Sequence, residues 1–157
     1  MARPLRDRLK FDLTRNRSEL LKAVAGIEDL TYAPAEGMKS YWHQLVEIGA
    51  MEAESTAVVT TGKAPEWKEL YDSVKGKTLG ELLESLSVIR GKLFQCLDSL
   101  SDAELEAPIQ VPPEWEMFMG DTSLERQELF RWLARHEYYH LGQIVAFRWI
   151  QGFDPYK

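Results

Sequence analysis

Four stretches of the chain repeat apolar residues every three or four positions, the spacing that lines up one face of an α-helix. The first runs from about Leu5 to Ile27, with Leu9, Leu13, Leu20, Val24 and Ile27 as its stripe. Ser40 predicts an N-cap for a second helix reaching roughly Val59 and carrying Trp42, Leu45, Val46 and Ile48. Thr78 followed by Glu81 is a capping-box pair that opens a third helix, with Leu79, Leu82, Leu86, Ile89, Leu93 and Leu97 on its apolar side. Thr122 and Glu125 repeat the pair before the last helix, which should stop near Gly152 with Pro155 beyond it. No segment alternates as a strand does.

A helix of about 20 residues is about 30 Å long, and four of matched length bury their stripes together most readily as an all-α four-helix bundle. No composition shift divides the chain, so one domain over 1–157 is expected. Two connections, Thr61 to Lys77 and Ser101 to Asp121, are longer than simple bundle turns. The first predicts a crossing of the bundle. The second holds Pro112, Pro113, Trp115, Met117, Phe118 and Met119, too apolar for a solvated tether. It predicts either a lid over one end of the bundle or a plug closing the core.

Composition narrows the partners. A net charge of -6, with Lys and Arg spread thinly, argues against nucleic acid or an anionic membrane as the main partner and leaves small molecules. The single cysteine, Cys96, lies in an apolar helical run and reads as a core residue. No stretch reaches the roughly 18 uncharged apolar residues of a membrane span, and Met1 to Lys10 is not followed by an apolar signal core. A cytoplasmic location is the expectation.

All three histidines could meet one ion. His136 and His140 are four apart and share a stripe with Leu129, Leu133, Ile144 and Phe147, so both imidazoles face inward. His43 lies near the edge of the inward face of the second helix, with Glu47 one turn later as its substitute. Three neutral nitrogen ligands with positions left open is the arrangement of a catalytic zinc site. Such an ion lowers the pKa of a bound water or thiol, and Glu137 or Glu47 is placed to orient a ligand or accept the proton. The plain alternative is a set of core histidines, each needing partners for two ring nitrogens. Gln143 is a further candidate partner for a ring N–H, and Trp42, Trp115, Phe118 and Tyr139 are candidate pocket walls.

Two rival readings remain. His136-Glu137-Tyr138-Tyr139-His140 fits the metallopeptidase pattern H-E-x-x-H, but no Gly and His follow at the required steps and no Glu lies downstream. The other rival is a non-catalytic interaction module. Tyr138, Leu141, Val145 and Trp149 form a second apolar stripe on the last helix, which predicts a homodimer.

The run Ser40-Tyr41-Trp42-His43 with Glu47 and Glu52, joined to His136-x-x-x-His140-x-Gly142-Gln143-Ile144, resembles the DinB/YfiT-like superfamily. The resemblance implies an up-down-down-up bundle with a crossover between its second and third long helices. It also implies a divalent metal, zinc or nickel, on one histidine of the second helix and the later pair. Dimers are common among members. Where activity is known they are chiefly S-transferases using low-molecular-weight thiols, with some isomerases and hydrolases. Many members carry Arg after the last histidine, where this chain has Leu141.

Overall fold

The computed structural model describes residues 4–74 and 76–157 and is mostly helical. Four long helices carry it: α1 (Leu5–Val24), α2 (Tyr41–Thr61), α4 (Leu79–Ser99) and α7 (Arg126–Ile150), with a short α3 (Trp67–Ser73) between the second and third. The connection before α7 contains α5 (Asp102–Glu106), strand β1 (Pro108–Gln110), a turn of 3-10 helix (Pro113–Trp115), α6 (Glu116–Met119) and strand β2 (Ser123–Glu125). Among the described residues no helix is long and apolar enough to cross a membrane.

The local signals for α2 and α4 lie where the sequence puts them. Ser40 caps α2 by accepting from the His43 backbone N–H, and Thr78 and Glu81 form a complete capping box on α4. Helix α1 stops at Val24 rather than Ile27, just before Gly26 adopts a left-handed φ of 72°. The Thr122–Glu125 pair does not cap α7. Residues 123–125 instead pair antiparallel with 108–110, and α7 starts at Arg126 without a side-chain cap. Strands of three residues are too short to show an alternating pattern, so the absence of strands read from the sequence is corrected here.

Helix α1 lies along α7, α2 lies between α7 and α4, and α4 closes back on α1. A small apolar cluster lies under the 101–121 connection, and two large ones fill the interior between the long helices. One gathers Leu20, Val24, Leu45, Ile48, Leu82, Leu86, Leu141 and Ile144; the other gathers Leu5, Leu9, Leu13, Leu93, Leu97, Phe130 and Leu133. Each buried leucine contributes about 1.5–3 kcal/mol by leaving water. Gly49 lets the second helix approach closely, because a Cβ there would meet a Leu86 methyl at 2.7 Å and a Val74 methyl at 2.8 Å.

Between the clusters sits an ionic layer with one residue from each long helix. Arg17 donates to Glu137 at 2.6 Å and to Glu52 at 2.8 Å. Arg90 donates through Nε to Glu52 at 3.0 Å and through Nη2 to Glu137 at 2.7 Å, and its Nη1 reaches the Leu13 carbonyl. Two cations and two carboxylates satisfy one another, the condition under which charges are tolerated in an interior.

Leu141 and Val145, half of the expected dimer stripe, belong to the core; Tyr138 and Trp149 are exposed. Cys96 is buried, as its apolar surroundings indicate.

Candidate metal centre

Four positions of α2 face one part of α7. Gln44, Glu47, Met51 and Glu54 step by three, four and three, which keeps them on one side of the helix. Opposite them, α7 presents Trp132, His136 and His140, again at steps of four. The apolar neighbours of both rows pack into the core and fix the phase of each helix.

His140 is only 2% exposed, and its Nδ1 is hydrogen-bonded to Gln44 Oε1. An amide oxygen accepts only, so this bond places the proton on Nδ1 and leaves the Nε2 lone pair free. That lone pair points at His136 Nε2, 3.0 Å away, and at Glu47 Oε2, 3.5 Å away. Burial is the main cause that pushes the His136 pKa down to about 3, helped by the neighbouring His140. Burial likewise pushes His140 down to about 4, against the pull of the Glu47 carboxylate. Both rings are neutral at pH 7.

Glu47 is anchored through its other oxygen. Oε1 takes an ion pair from Lys39 and accepts from the Tyr71 hydroxyl at 3.3 Å, leaving Oε2 for His140. The His136 ring is stacked on Trp132, centroids 4.9 Å apart at 20°, and Trp132 stacks on Trp115 at 6.4 Å and 20°. Among the described residues, no group of three or more His, Cys, Asp or Glu side chains is arranged to hold a metal ion.

The structure does not bring His43 to the pair. Its ring is exposed, its Nδ1 sits 2.9 Å from the Ser40 hydroxyl, and Lys39 occupies the place beside Glu47. Where a three-histidine convergence is expected, the side chains that meet here are two histidines and Glu47. Glu137 does not reach the site either. It is 1% exposed and fully taken up by Arg17 and Arg90. Next to His136 in sequence, it projects about 100° around the helix, into the ionic layer.

The histidines open onto a cavity of about 1130 Å³. Trp115, Phe118 and Tyr139 line it as the sequence suggested, together with Trp67, Trp132 and Glu54; Trp42 does not, packing instead near Tyr71 with its indole N–H on the Gly76 carbonyl. The 101–121 connection therefore forms cavity wall as well as core, since Trp115 also packs with Val58, Ile109 and Leu129. Gln44, Lys39, Tyr71 and Glu54 escaped the sequence reading. The signal for Gln44 and Glu54 was their register with Glu47; Lys39 and Tyr71 lie outside α2 and carried none.

A search of the curated proteins returned no significant match. The family model of the DinB superfamily matches residues 12–144, which includes both helical rows of the site. The chain belongs to the DinB superfamily.

Proposed function

We propose that the protein is a divalent-metal-dependent enzyme acting on a small molecule, with His136, His140 and Glu47 as the ion's protein ligands. The observation that carries this reading is the meeting of His136 Nε2, His140 Nε2 and Glu47 Oε2, with no hydrogen between Glu47 Oε2 and His140 Nε2. Two lone pairs facing each other at 3.5 Å repel, and a cation between them would turn that repulsion into attraction. Imidazole and carboxylate are donor types that such an ion takes, and the side chains would have to draw together to hold it. Ligand atoms bonded at 2.0–2.1 Å in a tetrahedral shell lie about 3.3 Å apart, and the separations of 3.0 and 3.5 Å bracket that value. Imidazole and carboxylate suit zinc and nickel alike.

When bound, an ion there supplies a Lewis acid that lowers the pKa of a coordinated thiol or water. The chain's own residues do the positioning. Gln44 fixes the His140 tautomer, Trp132 holds the His136 ring in plane, and Tyr71 keeps Glu47 turned toward the pair. The cavity encloses a substrate against aromatic walls and limits water around it. Membership of the superfamily favours S-transfer from a low-molecular-weight thiol to a small electrophile. Glu137 takes no part in this reading.

The same proposal takes the fold as an up-down-down-up bundle with its crossover between α2 and α4. Core membership supports it: the start of α1 packs with the end of α4 and the start of α7, while the start of α2 packs with the start of α4 and the end of α7. A homodimer through α7 is part of the proposal too, drawing on exposed Tyr138 and Trp149.

The test of function is a thiol panel with an alkylating electrophile and protein purified without an affinity tag. Turnover that needs zinc or nickel and disappears in His136→Ala, His140→Ala and Glu47→Gln is the expected result. Turnover indifferent to these variants would refute the reading.

A further inference from the structure

Glu54 is the anomaly of the cavity. It is 7% exposed, lines the aromatic chamber, and has no ion pair among the described residues. Among the described residues, Trp115 is the side chain placed to give it a hydrogen bond, through its indole N–H. Seven residues separate Glu54 from Glu47 on α2, a rise of about 10 Å, so it lies at the far end of the cavity from the histidines.

The charge around it is one-sided. Glu114 adds to the negative field at Glu54, and Glu66 lines the same cavity. The two cations of the lining are already occupied: Lys39 pairs with Glu47, and Arg135 leans toward Glu128 at 3.9 Å. Burial pushes the Glu54 pKa up to about 7, which marks the missing countercharge. Trp115 lies beside it, and the rings of Trp67 and Phe118, 45% and 61% exposed, line the same cavity and are open to a ligand.

We propose that the Glu54 end of this cavity binds the positively charged group of an organic cation, an ammonium held between aromatic rings and the buried carboxylate. Aromatic faces attract cations most strongly when water is excluded, and a buried carboxylate without a partner gains most from one. A volume of about 1130 Å³ accepts a drug-sized molecule, so one end of a ligand can lie at Glu54 while the other reaches the histidines. The inference rests on the cavity being the substrate site, as proposed above, and not on the ion.

The experiment uses chelator-treated full-length protein and three probes of one shape: phenyltrimethylammonium, its uncharged isostere tert-butylbenzene, and benzenesulfonate. Binding is read by quenching of tryptophan fluorescence. The cation should bind roughly tenfold tighter than the isostere, and the anion more weakly than both. Glu54→Gln, folded by circular dichroism, should reduce the preference for the cation to about twofold. An isostere equal to the cation, a preference for the anion, an undiminished preference in Glu54→Gln, or no saturable binding of any probe would each overturn the proposal. Loss of metal binding alone would leave this selectivity intact, which separates the two readings.

Discussion

Glu137 places a carboxylate oxygen 2.7 Å from the Arg90 guanidinium and turns away from the two histidines that flank it in sequence. A peptidase-type general base has to face the metal between its histidines, and Glu137, paired with Arg17 and Arg90, is not placed for that role. The energetic consequence is large. Glu137→Ala leaves the buried Arg90 and the half-buried Arg17 short of a partner and should cost about 3–5 kcal/mol in urea unfolding. Metal content, measured on whatever fraction stays folded, should be unchanged.

Stability of the metal-free protein should respond to pH through both ends of the cavity. The folded values of His136 and His140 lie below the ordinary 6.5, so the unfolded chain takes up protons that the folded one refuses. Their contribution is present above pH 6.5 and is lost as pH falls toward about 4 and then 3. Glu54 behaves oppositely. Its folded value, about 7, lies above the ordinary 4.5, so its contribution is present below pH 4.5 and is lost as pH rises to about 7. Glu54→Gln should therefore match the wild type near pH 4.5 and exceed it by up to about 3 kcal/mol above pH 7. Chemical unfolding at four or five pH values checks both slopes.

Lys39 competes with any cation for Glu47. Its side chain is 56% exposed, so the pair is worth little in stability, but its positive charge would repel an ion brought to the other oxygen of the same carboxylate. Lys39→Met should tighten zinc or nickel binding by up to about fivefold, with unfolding free energy nearly unchanged. Weaker binding would mean that Lys39 assists the site.

Gly49 is a purely steric matter. Gly49→Ala drives a methyl into Leu86 and Val74 and should destabilise the fold by about 1–3 kcal/mol, although alanine is the better helix former. A neutral or stabilising result in thermal unfolding would show that the contact with α4 relaxes freely.

Local signals carried most of the fold. Ser40 and the Thr78–Glu81 pair each act within one turn, so sequence adjacency contains the whole interaction. Ser101–Glu104 uses the same grammar for α5, but five residues are too few for a periodic stripe to betray the helix. Thr122–Glu125 shows the limit: the same letters joined a strand pair, because residues 108–110 compete for that backbone. The ionic layer was visible only as interruptions. Arg17 follows Leu13, Arg90 follows Leu86, Glu52 follows Ile48 and Glu137 follows Leu133, each by four. Which charge meets which depends on four helices packing, and no single-helix pattern encodes that. The meeting of His136 with His140 was legible, and the position of the His43 ring was not. A step of four fixes two rings on one helix, whereas choosing between His43 and Glu47 depends on rotamers set by Ser40 and Lys39.

The claim on which the account stands is an ion held by His136, His140 and Glu47, and metal content reads it directly. Untagged protein loaded with zinc or nickel and dialysed should retain about one ion per chain, with His43→Ala retaining it equally and His136→Ala, His140→Ala and Glu47→Gln losing it. Retention in both of the α7 variants, or loss in His43→Ala as complete as theirs with Glu47→Gln unaffected, would contradict it.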